Sequence, residues 1–142
     1  KIKKKISTYG IDDSIIWLGF LNYNEMADHY NAADIVVSIP SSDSSPKSVY
    51  EAMFCKKPIV VTDLEWSHEL LEAYECLERV PVREAGITCQ AIARLIDNTK
   101  YRKLLAENGY REVKKYFSYA ENMNKMESIM LDAVREGKGK SD

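Results

Sequence analysis

The densest cluster of hydroxyl and acidic side chains in the sequence is Ser41-Ser42-Asp43-Ser44-Ser45. It runs through Pro46 and Lys47 into Ser48 and Glu51. A helix starting here would offer unpaired backbone N–H groups and a partial positive charge, which suit a phosphate. Pro46 fits a first helical turn because it needs no N–H partner there. Ser44, Ser45 and Ser48 would add hydroxyl donors, and Lys47 a full charge. A serine-rich loop also caps a helix with no ligand at all, so the loop alone leaves both readings open. Glu51 is equally double-sided. Four residues beyond Lys47 it suits an i,i+4 ion pair, worth about 0.2–0.5 kcal/mol. It also suits a bidentate acceptor for ribose hydroxyls. Spacing does not choose between them.

Other reactive residue types fit plainer roles. His29 and His68 have no serine and aspartate partners in triad order, so surface or capping positions suit them. The three cysteines, Cys55, Cys76 and Cys89, are scattered and lack C-x-x-C spacing. Reduced thiols in a cytoplasmic protein are the simpler reading, without zinc or a disulfide framework. The tyrosines and phenylalanines lie mostly at helical spacing and suit core packing. Lys100, Arg102, Lys103, Arg111, Lys114 and Lys115 make a basic helical face. Such faces are solvated in most proteins. A net charge of −2 predicts no nucleic-acid partner.

The elements that must position the serine cluster follow from apolar runs. With 142 residues, 45% hydrophobic and 30% charged, the chain suits one soluble domain with a core. Ile15-Ile16-Trp17-Leu18 reads as a buried strand ending at Gly19. Asn22 to Asn31 is helical, with Asn22 or Asn24 as N-cap. Strands are expected at Ile35–Ile39, Pro58–Thr62 and Leu77–Val82, and a helix over Lys47–Cys55 between the first two of these. Short helical Ser67–Leu71 precedes helices over Ile87–Asp97, Tyr101–Phe117 and Ala120–Val134, the last capped by Ser118. Apolar strands separated by single helices predict a parallel sheet covered on both faces, a Rossmann-like three-layer α/β/α domain over 1–136. Residues 137–142 read as a disordered tail. Lys1 to Ile6 reads as the middle of an amphipathic helix, which suggests a cut from something larger. No apolar run reaches the roughly 18–20 residues that span a bilayer. Ligands in such sheets bind at the carboxyl ends of the strands, which here are the loops at 19–22, 40–46 and 63–67.

The stretch IVVSIPSSDSSPKSVYEAMFCKKPIVVTD, from Ile35 through Asp63, resembles the core motif of retaining group-1 glycosyltransferases of GT-B fold. There a strand ending near Pro-Ser leads into an E-x7-E element and then "EAM…G-K-P-V-V-x-T-D". Asp43 and Glu51 stand at the two acidic positions. Trp17-Leu18-Gly19-Phe20 is similar to the family's strand-Gly-aromatic segment. Tyr30-Asn31-Ala32-Ala33-Asp34 matches its "Y-x-x-A-D" helix end, and Phe117-Ser118-Tyr119 its "F-S-W" hinge.

The resemblance implies the C-terminal, donor-binding half of an enzyme that moves a hexose from a UDP-, GDP- or ADP-linked sugar to an acceptor hydroxyl. The product would retain configuration and serve glycan or polysaccharide biosynthesis. Glu51 would hold the ribose and Asp43 the donor sugar, both counted as catalytic positions. Amides near Ser45, Lys47 and Ser48, beside Ser44, would hold the diphosphate. Leu21, just past Gly19, would lie against the base. No cofactor and no metal are implied, because protein donors stabilise the departing diphosphate. The N-terminal GT-B domain is an implied partner, and without it no turnover is expected. For the basic helical face, peripheral contact with anionic lipid at a membrane's inner face is an alternative that only the resemblance implies. Several departures stand out. Asp43 is a methylene shorter than the usual Glu. The family's Asp-x-Gly-Gly turn appears as Asp63-Leu64-Glu65-Trp66, where Trp66 would crowd a ligand or stack on it. A Gly-rich segment before Val80 is replaced by Ala73-Tyr74-Glu75-Cys76. A degenerate, non-catalytic nucleotide- or partner-binding module of the same fold is the alternative.

Overall fold

Three parallel strands, β1 (Val36–Ser38), β2 (Ile59–Thr62) and β3 (Glu78–Val80), form one sheet in the order β1-β2-β3. The structure, a computed structural model, describes residues 2–44, 46–69 and 75–138. Helices α1 (Ile2–Tyr9) and α2 (Tyr23–Ala32) precede the sheet, and α3 (Lys47–Phe54) and α4 (Trp66–Glu69) connect its strands. Helices α5 (Ala85–Asp97), α6 (Thr99–Tyr116) and α7 (Tyr119–Lys138) follow. Val37 pairs with Val60, and Val61 with Arg79. The parallel α/β architecture expected from the apolar runs is present.

Successive side chains of a strand point to opposite faces. Ile59 and Val61 therefore join Val49 and Met53 of α3 and Val113 of α6 in one cluster. Val60 turns the other way and meets Val80, Ala91 and Leu95 of α5, and Leu105 of α6. Helices cover both faces, so β2 is apolar along nearly its whole length. Gly109 brings α6 close. A Cβ there would stand 3.3 Å from the Cys76 carbonyl oxygen and 3.5 Å from Met53 Cε.

The two charged residues of β3 are both engaged. Glu78, with its side chain 5% exposed, accepts hydrogen bonds from Arg94 Nη2 and, at 3.0 Å, from the Tyr101 hydroxyl. Burial, followed by that bond to Glu78, raises the Tyr101 phenol above its usual value, so it stays a donor. Arg79 donates to the Ser67 carbonyl at 2.5 Å and to its Oγ at 3.2 Å, tying α4 to the sheet.

Ile15–Leu18 corrects one expectation. The segment pairs with none of the three strands, and Ile16 is 84% exposed. β-branched and aromatic residues favour a strand only where a pleated neighbour covers them, and none of the described strands does so here. Trp17 instead lies beneath the Lys3 ammonium, 5.3 Å from its ring centroid. β1 is also shorter than its apolar run, and Ile39 beyond it is exposed. Gly137 and Lys138, expected in a disordered tail, belong to α7, because the helical hydrogen-bonding pattern continues past the last apolar residue, Val134. The expectations for residues 70–74 and 139–142 lie outside the described residues. No helix among the described residues is long and apolar enough to cross a membrane.

Two outcomes follow from this packing. Burial pushes the Cys76 thiol up to about 11 from 9.0. Because the folded value is raised, the protonated thiol's contribution is complete below 9.0 and is lost as pH rises through about 11. A Cys76→Ser variant should therefore lose melting temperature less steeply than the wild type across that window. Arg94→Ala leaves Glu78 buried with one fewer partner and should cost about 1–3 kcal/mol in urea unfolding. The double variant Glu78→Gln, Arg94→Ala should lose less than the sum of the single changes.

Candidate functional site

Helix α3 begins where β1 has delivered the chain to the sheet's carboxyl edge. Pro46 occupies the N-cap with φ −74° and ψ 101°, and its carbonyl accepts from Val49 N–H at 3.0 Å. The helix buries Val49, Ala52 and Met53 against the core. A helix turns about 100° per residue, so Lys47, Glu51 and Phe54 share the side opposite that buried face. Ser48 projects from another side.

Glu51 faces α2. The Tyr30 hydroxyl donates to its Oε2 at 3.4 Å. Burial, then the neighbouring carboxylate of Glu51, raises the Tyr30 phenol. Helix α2 starts at Asn22, whose backbone N–H donates to Glu25 Oε2 at 3.0 Å, half of a capping box. Two adjoining grooves lie between α2 and α3. One, of ≈ 300 Å³, is walled by Tyr23, Met26, Tyr30, Glu51, Phe54 and Cys55 among others. The other, of ≈ 370 Å³, is walled by Tyr23, Lys47, Tyr50, Glu51, Phe54 and Phe117. Lys47 Nζ lies 5.7 Å from the Tyr23 ring centroid. Among the described contacts it makes no ion pair with Glu51, so the i,i+4 alternative is not realised.

The structure thus brings two of the expected site residues, Lys47 and Glu51, to one wall. Asp43 and Ser44 are exposed in the preceding loop, and Ser48 is exposed on the first turn; none of the three walls these grooves. Ser45 lies outside the described residues. Gly19 adopts φ +67°, a left-handed backbone that suits glycine. Leu21 is half-buried and does not wall these two grooves, whereas Tyr23, two residues on, walls both. In the sequence Tyr23 and Tyr30 read as packing residues, and Tyr30 also as the opening of the Y-x-x-A-D helix end. Aromatic residues at helical spacing look like core, and nothing within a turn of Tyr30 announces a carboxylate 21 residues away.

Trp66 neither crowds nor stacks on this site. It is 4% exposed and meets Tyr50 edge-on, with ring centroids 6.2 Å apart. Its indole is core because it joins the buried cluster of Val49, Tyr50, Ile59 and Val61. His29 caps nothing and holds its own helix, with Nδ1 2.9 Å from the Glu25 carbonyl, while His68 Nε2 lies 2.5 Å from Asp63 Oδ1. A larger cavity of ≈ 480 Å³ on the α5 side includes Ser41, Thr62, Arg83 and Cys89 but none of the expected site residues. No group of three His, Cys, Asp or Glu side chains among the described residues could hold a metal ion.

The sequence profile of the glycosyl transferases group 1 matches residues 1–112. The chain belongs to that family. No curated protein matches it. A solved C-terminal domain of the group 1 family protein LpcC from Francisella tularensis is similar at 27% identity and TM-score 0.74. The match covers 83% of this chain and 61% of that one. Sucrose-phosphate synthase from Thermosynechococcus elongatus shares the fold at TM-score 0.82 and 20% identity, over 95% of this chain and 34% of that one. Anabaena Alr3699/HepE, solved in complex with UDP-glucose, superposes at TM-score 0.81 and 20% identity, over 93% of this chain and 36% of its own. The glycosyltransferase chain thus spans about a third of those two longer proteins.

Proposed function

We propose that this group 1 glycosyltransferase chain is the donor-binding part of a retaining hexosyltransferase, acting with an N-terminal GT-B domain that carries the acceptor site. Lys47 and Glu51 wall one groove at the first turn of α3, and this placement supports the reading. Glu51 accepts hydrogen bonds from the ribose of a nucleoside diphosphate. Lys47 and the first-turn amides of α3, with Ser44 and Ser48 near them, face the diphosphate, whose negative charge grows as the sugar departs. Preorganised donors aimed at developing charge lower the barrier without a metal. Asp43 reaches the donor sugar, and Gly19 and Leu21 border the base. The HepE structures hold UDP-glucose, or UDP and glucose, which makes a uridine donor the first to test. Closure of two domains over the donor would exclude water, so the chain alone does not turn over.

A second reading, a degenerate binding module, draws support from Asp43 in place of a longer glutamate and from the glycine-free turn Asp63-Leu64-Glu65-Trp66. Calorimetric titration of the chain with UDP, GDP and ADP separates the two. We expect one nucleotide to bind below about 1 mM, worth about 4 kcal/mol. Glu51→Ala should weaken it by about tenfold, and Lys47→Met should weaken the diphosphate more than the free nucleoside. No binding by any of the three favours the degenerate module.

A further inference from the structure

Glu51 stands on a helix surface, and a glutamate there samples several rotamers unless something restrains it. A vicinal diol needs a carboxylate whose plane is already fixed, because ordering it on binding costs affinity. The restraint available is the Tyr30 hydroxyl, 3.4 Å from Glu51 Oε2. Tyr30 is itself held firmly. It is half-buried and packs on the cluster that contains Val49, Met53 and Ile59. Its helix is capped at the start by the Asn22–Glu25 bond. At the end, Lys57 Nζ donates to the Asn31 carbonyl at 2.9 Å. Donor and acceptor thus come from two helices, α2 and α3, packed against each other. A carboxylate has about four acceptor directions. Tyr30 occupies one on Oε2 and leaves the others, on both oxygens, for a ligand.

We propose that Tyr30 is a positioning residue: its hydroxyl locks the Glu51 carboxylate in the orientation that takes both ribose hydroxyls, and so sets the preference for ribonucleotides over 2′-deoxyribonucleotides. This rests on the ribose role given to Glu51 above. Nothing in the sequence couples the two positions; the pairing exists only across the α2–α3 groove.

The test is titration of the 142-residue chain and its Tyr30→Phe, Glu51→Ala and double variants with UDP and with 2′-deoxy-UDP. Removing one hydroxyl should weaken UDP binding about five- to tenfold, while 2′-deoxy-UDP affinity stays within about twofold. The ratio between the two ligands therefore shrinks, which loss of packing alone would not produce. The double variant should bind UDP no more weakly than Glu51→Ala. If Glu51→Ala weakens UDP binding but Tyr30→Phe leaves the ratio at its wild-type value, the positioning role is wrong and the ribose role stands. If Tyr30→Phe weakens both ligands equally with a lower melting temperature, Tyr30 only packs. If UDP fails to bind, or binds Glu51→Ala as well as wild type, both assignments fall together.

Discussion

The inner face of α3 is clamped between β2 and α6, and that clamp sets the direction of every side chain on the outer face. Val49, Ala52 and Met53 are fully buried. Gly109 gives α6 the clearance to lie against Met53. With these positions fixed, α3 cannot roll by even part of a turn without opening a void in a close-packed interior. Lys47 and Glu51 consequently share one side of the helix, and Ser48 does not.

The same clamp places the start of α3 at the sheet's carboxyl edge. The helix runs only eight residues, from Lys47 to Phe54, so its first turn and its outer groove are neighbours. A cation, helix amides and a carboxylate therefore lie within one turn, the arrangement on which the proposed placing of an anion at the helix start and of hydroxyls a turn behind rests. The groove's other wall comes from α2, whose Tyr23 and Tyr30 face Glu51. The groove carries a charge from Lys47 and aromatic rings from Tyr23 and Tyr30 along its side.

Elsewhere the structure leaves apolar residues exposed. Ile16, Trp17, Leu18 and Phe20 project from a segment with no sheet partner, and Val37 and Ile39 are open at the end strand. α7 carries a stripe of Met123, Met126, Met130 and Val134 with no covering element among the described residues. These surfaces contrast with the dense packing around α3, where strands and helices each find a partner.

Much of this was legible in the sequence because it depends on residues within a turn or a strand of each other. The apolar runs at 58–62 and 77–82 determined two of the three strands, and the i,i+4 spacing of Lys47 and Glu51 put them on one helical side. Asn22 was one of two N-cap candidates for α2 and is the one the fold uses, and the motif through Asp63 pointed to the family. Other features waited on the folded chain. Glu78 meets Arg94 and Tyr101 across 16 and 23 residues, and Tyr30 meets Glu51 across 21. Trp66 became core, and Ile15–Leu18 failed to become a strand. Local spacing determines what a side chain can face; only the fold decides whether a partner comes to meet it, because burial and hydrogen bonds form between segments that no short stretch of sequence contains.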